Sequence, residues 1–455
     1  MRILFVKPPF NKFSFINNFM VCEPLEFEML AASISSYHDV NIVDLRVENI
    51  SFIEILKTYM PDIVGFSALT MEVNIVKQLA NDVKKYNPQI ITCVGGEHAS
   101  LMPESFEVAQ IDFIFQYDSL NTFPKFVEHI EVGKKNGQAS ISDMQKKIGK
   151  RIVNPLMNDN LNESPLPKRE LCEKNRTKYV YGCATPVNLI QTSAGCPYRC
   201  TFCSIPARQA KYRVRKIDRI IEDIGLTKSK DLLSIDANAL NNVEWSKQLY
   251  TAIGNANMSK RLMISCRTDT IVKYPELLPI LAKSGVSVIA FGIETNNNEA
   301  LTRYNKDNTG DNNTMAIKLV HQYGMMVRAN FIIEQDFGIN DFQNILNIVN
   351  KYDIEFPTFQ ILTPLPGTQF YNEMSDKLIT HNLDLFDLSH SVLPTKLPIE
   401  VFHDEFKNLF RICYGAKRLL WLSTRIPLTP ALKGIWIATK SHFNFSYHNH
   451  ILAYE

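Results

Sequence analysis

Three cysteines within eight residues could do chemistry together. Cys196, Cys200 and Cys203 are spaced C-x3-C-x2-C, and Phe202 stands directly before the last of them. The segment follows the apolar run VNLIQTS, so it should form a loop at the end of a strand. Three thiolates on such a loop can bind three irons of a [4Fe-4S] cubane and leave the fourth iron without a protein ligand. An iron left open in this way predicts chemistry at the loop rather than a structural role.

A structural zinc site is the main alternative use of these thiols. Zinc in such a site is bound by four Cys or His side chains, and no further Cys or His occurs in the next 40 residues. Six other cysteines have no ligand spacing, and they are predicted to be small, buried apolar residues rather than disulfide partners. They are Cys22, Cys93, Cys172, Cys183, Cys266 and Cys413.

Length and composition narrow the class of protein. A chain of 455 residues is too long for one ordinary core, so two domains and an appendage are expected. Hydrophobic residues make up 45% and the net charge is +2, which favours a soluble protein without a nucleic-acid partner. The start MRILFVKPPF has no secretion signal, and the chain has no run of 18 apolar residues. A cytoplasmic location without a transmembrane segment is therefore expected.

Six strand-like runs alternate with helical segments between about 186 and 370. The runs are VNLIQTS, DLLSID, RLMISC, VSVIAFGIE, MVRANFIIE and TFQILT, and Gly285 and Gly324 should end two of the intervening helices. Six β/α units are fewer than the eight of a closed barrel, so an open partial barrel is predicted. Its active face should lie at the carboxyl ends of the strands, where the cysteine loop follows the first one.

Residues 1–130 alternate strand and helix in the manner of a doubly wound sheet, and the five strand-like runs are RILFVK, VNIVDL, DIVGFSAL, IITCVGG and DFIFQY. Such sheets bind ligands beyond the carboxyl ends of their strands. Two of these ends carry small residues that let a flat ligand or a nucleotide tail approach the backbone. One end is Ser67-Ala68-Leu69, and the other is Gly95-Gly96-Glu97-His98. Earlier in the chain, Ser51 and Glu54 are spaced as a capping box that opens the predicted helix FIEILKTYM.

The cysteine motif on a partial barrel resembles the hallmark of the radical SAM superfamily. In that family S-adenosylmethionine (SAM) binds the open iron, and reductive cleavage releases a 5′-deoxyadenosyl radical. The resemblance implies that Phe202 meets the adenine edge through its backbone. It also implies that polar residues at strand ends hold the rest of SAM; the alternative is that each merely caps the next helix. These residues are Asp236, Asn238, Arg267 and Glu294, and a loop at 364–374 (PLPGTQFYNEM) also resembles one of this subfamily.

The whole of 1–370 resembles the subfamily with an N-terminal cobalamin-binding domain. SAL, followed after 25 residues by GG, matches two of the three parts of the cobalamin signature. The implied cobalamin contacts are Ser67, Leu69, Gly95, Gly96, Glu97 and His98. The third part, D-x-H-x-x-G, is missing, because the loop PPFNKFSFINNFMVCEPLEF contains no histidine. Cobalt should therefore have no lower ligand from this loop, and His98 is either a hydrogen-bonding loop residue or a ligand.

The two remaining segments carry weaker signals. Residues 131–185 lose periodicity and are predicted to be a linker, and 186–374 is the barrel. Residues 375–455 should form a mainly helical extension that caps the barrel, shapes a substrate pocket or rests on a membrane surface. Part of this extension weakly resembles relatives that act on hopanoid lipids and porphyrins. His442, His448 and His450 near the end are predicted to be surface residues.

The sequence therefore predicts an α/β protein: a Rossmann-like sheet, an open (β/α)6 barrel and a helical extension. Its resemblance implies a [4Fe-4S] cluster, SAM and cobalamin, and methylation of an unactivated carbon in a small or lipid-like substrate. The electron donor would be a flavodoxin or ferredoxin. Three alternatives stay open: an oxidative cyclase or rearranging enzyme with the same cofactors, a radical SAM enzyme without cobalamin, and a non-catalytic corrinoid or redox module.

Overall fold

A computed structural model describes residues 1–11, 20–117, 119–135, 141–154, 161–182, 184–208 and 211–424. The predictions for Cys183, for His442, His448 and His450, and for part of the loop after the first strand concern residues outside these ranges.

The strands and helices follow one another along the chain as the alternation predicts. The strands are β1 (Arg2–Lys7), β2 (Met20–Val21), β3 (Asp39–Asp44), β4 (Ile63–Ser67), β5 (Ile91–Gly95), β6 (Phe113–Tyr117), β7 (Arg151–Asn154), β8 (Val180–Tyr181), β9 (Val187–Ile190), β10 (Ser193–Ala194), β11 (Arg213–Val214), β12 (Asp231–Ser234), β13 (Arg261–Cys266), β14 (Val286–Glu294), β15 (Met326–Ile333) and β16 (Phe356–Ile361). The helices are α1 (Leu25–Ser33), α2 (Phe52–Tyr59), α3 (Val73–Tyr86), α4 (Glu97–Leu101), α5 (Ser119–Lys135), α6 (Ile141–Ile148), α7 (Ser204–Ala207), α8 (Ile217–Leu226), α9 (Val243–Asn255), α10 (Thr268–Lys273), α11 (Leu277–Lys283), α12 (Asn298–Arg303), α13 (Gly310–Gln322), α14 (Ile339–Lys351), α15 (Gln369–Met374), α16 (Ile399–Cys413) and α17 (Ala416–Ser423).

The chain divides into two compact units. Of the described residues, the first unit holds 1–11, 23–178 and 382–384, and the second holds 20–22, 179–381 and 385–424.

The first unit is built on a parallel sheet with strand order β3-β1-β4-β5-β6-β7. Its central strands are apolar throughout because helices cover both faces of the sheet. In α3, Val76, Leu79, Ala80 and Val83 are buried at helical spacing against this sheet, and the polar residues between them face water. The predicted Rossmann-like architecture is confirmed.

The segment 131–185 is more regular than its sequence predicts. It contains α6 and β7, and β7 extends the sheet by pairing with β6 from Ile114↔Arg151 to Tyr117↔Asn154. The four residues of β7, RIVN, are too few to show the alternation that identifies a strand. Pairing with an existing strand makes this short element stable.

The second unit is an open half-barrel. Its parallel strands follow chain order, β9-β12-β13-β14-β15-β16, and they coincide with the six predicted runs. On one face, Ile264, Phe291, Phe331 and Phe359 belong to the core beneath the surrounding helices. Since side chains alternate along a strand, the residues between them face the inside of the half-barrel. This inner face is the one that the cysteine loop adjoins.

Helix ends test the local predictions. Gly285 and Gly324 follow the ends of α11 and α13 with φ of 91° and 71°, the left-handed conformation that glycine adopts without cost. Ser51 precedes α2 as predicted, but its side chain makes no capping hydrogen bond, so the predicted capping box is wrong.

The C-terminal extension begins with loops and continues into α16, whose Phe402, Phe406 and Leu409 join the core of the half-barrel. Within the described ranges, every helix is too short or too polar to cross a bilayer.

Candidate active site

The cysteine loop lies at the carboxyl end of β9, the first strand of the half-barrel. Cys196, Cys200 and Cys203 are all partly exposed, and the Cys203 amide donates to the Cys200 carbonyl at 3.1 Å. Burial raises the pKa of the Cys200 thiol, and the nearby ammonium of Lys306 opposes that rise. In the described part of the chain, no three His, Cys, Asp or Glu side chains are arranged to hold a single metal ion. A cubane instead requires one thiolate on each of three irons, and this donor set of three thiols on one loop fits it.

Two distant segments hold this loop in place. The Thr201 amide donates to the Tyr304 carbonyl, and the Thr201 carbonyl accepts from the Phe370 amide, both at 3.0 Å. The rings of Phe202 and Tyr304 pack edge to face, 5.5 Å apart. Phe202 and Phe370 also contact a small apolar cluster that includes Ile332 and Leu362. The loop at 364–374 therefore supports the cysteine loop directly, and Tyr304 is a supporting residue that sequence reasoning missed.

Glu294 ends β14 beside a buried cation. Lys306 donates to Glu294 Oε1 at 2.7 Å, and both side chains are about nine-tenths buried. Burial would lower the pKa of Lys306, but the Glu294 carboxylate outweighs it and the pKa is raised. Gly292 leaves the space for this pair, because a Cβ there would collide with both side chains. The second oxygen, Oε2, has no hydrogen-bond partner among the described residues, so the predicted contact of Glu294 with SAM has an acceptor available.

Asp236 and Arg267 are already bonded within the protein. Asp236 accepts from the Thr192 amide at 2.9 Å, from its hydroxyl, and from the Ser193 amide at 2.8 Å. Burial raises the pKa of Asp236, and the bonds to Thr192 and Ser193 oppose this. These contacts give Asp236 a structural role where β9 leads into the cysteine loop. Its predicted contact with SAM stays a prediction.

Arg267 uses its guanidinium in the same way. It pairs with Asp269 at 2.9 Å, donates to the carbonyl of Lys306 at 2.6 Å and to that of Asp307, and lies 3.8 Å over the Tyr198 ring. Arg267 thus ties the segment after Tyr304 to the cysteine loop, which contains Tyr198. Its predicted contact with the SAM carboxylate also stays a prediction.

Asn238 leaves an acceptor unused. Its Nδ2 donates to Asn241 at 3.4 Å, whereas its buried Oδ1 has no hydrogen-bond partner. A buried amide oxygen without a donor is costly. Nearby, Ile235 is 45% exposed at the carboxyl end of β12. An acceptor beside exposed apolar surface suits a ligand with both N–H groups and a flat apolar part, which supports the predicted SAM contact of Asn238.

The predicted cobalamin contacts lie together at the carboxyl edge of the first unit's sheet. Ser67 ends β4, Gly95 ends β5, and Glu97 begins α4. Leu69, two residues after Ser67, is 41% exposed, and its amide donates to Glu72 Oε2 at 2.9 Å. An exposed leucine at this edge is suited to cover the face of a large apolar ligand.

Gly96 joins the two strand ends. Its φ is 97°, and a Cβ there would lie 2.7 Å from the Ala68 nitrogen and 2.9 Å from the Ala68 oxygen. The close approach predicted for a ligand at this glycine is made instead by the neighbouring strand end. The Ala68 amide donates to the Gly95 carbonyl at 3.0 Å, and the His98 amide donates to the Ala68 carbonyl at 3.1 Å.

Replacing Gly96 by alanine is expected to destabilise the first unit. The positive φ alone costs about 1–3 kcal/mol for a residue with a side chain, and the contact with Ala68 adds to it. The matched control is Gly95→Ala, whose Cβ would meet only ordinary contacts at 3.7 Å or more. Calorimetry of both variants measures the effect. A Gly96→Ala transition no lower than that of Gly95→Ala would contradict the argument.

His98 is buried and bonded at both ring nitrogens. Nδ1 lies 3.1 Å from the Thr70 hydroxyl and Nε2 lies 3.0 Å from the Ser105 hydroxyl. Burial, with a smaller contribution from Lys77, lowers the pKa of His98 to about 4. In this arrangement neither nitrogen is available to cobalt. The geometry therefore supports the hydrogen-bonding alternative for His98 over ligation.

The low pKa of His98 predicts an acid-sensitive first unit. The unfolded chain binds a proton near pH 6.5, but the folded unit does so only near pH 4, so stability is lost as the pH falls between these values. At about 1.4 kcal/mol per pKa unit, the loss approaches about 3 kcal/mol near pH 4. Denaturation at pH 7.5 and 4.5 measures it, and His98→Gln should flatten the dependence. An unchanged slope in His98→Gln would refute this assignment.

Comparison with known proteins bears on the identity of both units. Residues 17–127 match the family described as "B12 binding domain", and residues 190–347 match the "Radical SAM superfamily". The chain therefore carries a B12-binding domain followed by a radical SAM domain. These matches confirm the family resemblance and the predicted enzyme class. They also confirm the predicted cofactors, which are a [4Fe-4S] cluster, SAM and cobalamin.

Individual relatives of this radical SAM enzyme cover most of its length. The hopanoid C-3 methylase of Methylococcus capsulatus is 28% identical, covering 93% of this chain and 82% of the relative. The anaerobic magnesium-protoporphyrin IX monomethyl ester cyclase of Rubrivivax gelatinosus is 23% identical, covering 85% and 72%. The structure of the cobalamin-dependent SAM radical enzyme OxsB, with aqua-cobalamin and SAM bound, has a TM-score of 0.69 at 15% identity, covering 99% and 72%. This last likeness confirms the fold.

Proposed function

We propose that this radical SAM enzyme methylates an unactivated carbon of a small or lipid-like substrate. The observation that carries the proposal is the combination, in one chain, of a B12-binding domain and three thiols on a loop held against the inner face of a half-barrel. The hopanoid methylase, similar over 93% of the chain, supports methyl transfer.

The division of labour among the cofactors follows from their chemistry. When bound, the cluster and SAM supply a radical that removes hydrogen from a carbon without an acidic proton, and cobalamin supplies the methyl group. The role of the protein is to position these groups and exclude water and stray hydrogen donors.

Residues of the half-barrel are suited to this positioning. Cys196, Cys200 and Cys203 would hold the cluster, and the backbone bonds of Thr201 to Tyr304 and Phe370 keep that loop fixed. Glu294 Oε2 and Asn238 Oδ1 would accept hydrogen bonds from SAM. The remaining predicted SAM contacts are Phe202, Asp236 and Arg267. They would contact SAM close to the cysteine loop or position that loop.

The inner face would exclude water from the reacting carbon. Ile332 and Leu362 are buried and pack with Phe202 beside the cysteine loop. In the first unit, Leu69 at the exposed sheet edge would cover one face of cobalamin, and Gly95 and Gly96 would keep the adjoining backbone compact. A flavodoxin or ferredoxin would supply the electron, and the location would be the cytoplasm.

An oxidative cyclase is the second candidate, because the cyclase of Rubrivivax gelatinosus is similar over 85% of this chain. The two reactions differ in their products. Methyl transfer consumes a second SAM and releases S-adenosylhomocysteine, whereas cyclisation does not.

Anaerobic reconstitution with iron, sulfide and hydroxocobalamin tests the proposal. We expect the full chain to retain cluster and corrinoid, and with dithionite, methyl-deuterated SAM and a cell extract as substrate source, to form 5′-deoxyadenosine and S-adenosylhomocysteine in equal amounts. A labelled methyl group should appear in one product. Formation of 5′-deoxyadenosine without S-adenosylhomocysteine would favour the cyclase, and loss of corrinoid on desalting would contradict the methyl carrier.

A further inference from the structure

The inner face of β15 carries a cation that pairs with no carboxylate in the described part of the chain. Val327, Ala329 and Phe331 point into the core beneath the helices, so Arg328 and Asn330 point to the inside of the half-barrel. The Arg328 Nε donates to the Thr358 hydroxyl at 3.1 Å, and its guanidinium lies 4.6 Å over the Tyr181 ring. No Asp or Glu among the described residues forms an ion pair with it.

Placing the Arg328 cation here without a counter-ion costs free energy. Burial lowers the pKa of Arg328, with Tyr414 and Cys22 opposing only in part. The other arginine in the strands of this sheet is neutralised: Arg261 on β13 pairs with Asp231 at 2.6 Å. Arg328 is half-buried, so without such a partner it loses part of its hydration with no compensating charge. An anion from outside the chain would restore the balance.

Two amide side chains flank Arg328 on the same inner face. Asn330, two residues along β15, has a buried Oδ1 without a hydrogen-bond partner. Gln360 on β16 pairs in register with Ile332, so it lies at the level above Asn330. Neither amide hydrogen-bonds to a described residue. The neighbouring strand β14 carries small residues at these levels, since Ala290 pairs with Arg328 and Gly292 pairs with Asn330. The Glu294–Lys306 pair fills the space beside Gly292, whereas Ala290 places only a methyl group beside Arg328.

We propose that Arg328, with Asn330 and Gln360, binds an oxyanion, a carboxylate or phosphate, at one end of the substrate. This proposal names a substrate class for the proposed function. It rests on that function, which places the substrate at the inner face of the half-barrel. At about 3.3 Å per residue, Arg328 lies about 13 Å along β15 from Ile332, which packs against Phe202 of the cysteine loop. The substrate class is an elongated molecule whose reacting carbon lies near the loop and whose anionic group lies about that far away.

Binding of simple amphiphiles to the full chain, reconstituted with cluster and SAM, tests the proposal by calorimetry. The probes are dodecanoate, dodecyl phosphate and uncharged dodecan-1-ol. We expect at least one anion to bind more tightly than the alcohol, and the preference between the two anions identifies the oxyanion. In Arg328→Met this anion should bind about 10- to 100-fold more weakly, the worth of a charge-assisted hydrogen bond. Binding of the alcohol should be unchanged.

Further variants separate recognition from structure. Arg328→Lys should restore part of the preference for the anion, and Asn330→Leu should reduce it without changing a charge. The control is Arg411→Met on the exposed side of α16, where the Arg411 guanidinium donates to Asn408 Oδ1 at 2.6 Å. Equal binding of anions and alcohol by the unmodified chain, or wild-type anion binding by Arg328→Met, would overturn the proposal. Because binding is measured without turnover, its failure is distinct from a failure to transfer methyl groups.

Discussion

Replacing Cys200 by alanine is expected to abolish both cluster assembly and SAM cleavage. With two thiolates left on the loop, the cubane loses one of its three protein ligands, and the open iron that binds SAM is lost with it. The loss should exceed the roughly 10- to 100-fold effect of removing a partner outside the ligand set. Iron and sulfide analysis after anaerobic reconstitution, together with the yield of 5′-deoxyadenosine, measures it.

A buried cysteine elsewhere provides the control. Cys413 lies in α16 and is 3% exposed, and burial raises the pKa of its thiol to about 12. Cys413→Ala should therefore keep its iron and its SAM cleavage. If Cys200→Ala bound as much iron as Cys413→Ala, the three thiols could not be the cluster ligands. Zinc in place of iron in the purified wild-type chain would contradict the same assignment.

Replacing Lys306 by methionine is expected to give the largest loss of stability. The change leaves the Glu294 carboxylate buried without its counter-ion, and breaking such a pair costs about 3–5 kcal/mol. Since Lys306 also lies near Cys200, the variant should bind the cluster and SAM less well. Denaturation of the reconstituted chain and its SAM affinity are the two measurements.

A neighbouring ion pair offers a matched comparison. Arg303 pairs with Glu334 at 2.8 Å, but the Arg303 side chain is 56% exposed. Arg303→Met should cost no more than about 1 kcal/mol, because water screens an exposed pair. The double variant Glu294→Gln with Lys306→Met should recover part of the stability by removing both charges. If Lys306→Met were no less stable than Arg303→Met, burial of the Glu294 pair would not have the importance given to it here.

Local patterns predicted the elements that carry the site. The six runs of the half-barrel and five strands of the N-terminal sheet were visible because each is a continuous apolar stretch bounded by turn residues. The sequence did not predict β7, because its four residues are too few to show a hydrophobic period. The capping box at Ser51 failed because a favourable spacing does not ensure that the side chain forms its bond.

The candidate site was only partly predictable. Asp236 and Arg267 stand at strand ends as predicted, but backbone amides, carbonyls and Asp269 occupy them. His98 lies at the predicted edge, yet its nitrogens are bonded to Thr70 and Ser105. Residue type and strand position identify which side chains are near a site. They do not show which of those side chains already have partners inside the protein.

The sequence by itself determined the cysteine motif, the order of strands and helices, and hence the family. These depend on spacing and apolar period, which are local properties of the chain. Only the tertiary structure decided that Tyr304 and Phe370 hold the cysteine loop, that Lys306 neutralises Glu294, and that no carboxylate of the described ranges pairs with Arg328. The physical reason is that hydrogen bonds and ion pairs act over a few ångströms. Whether residues such as Thr201 and Phe370 come within that distance depends on how the strands between them are arranged.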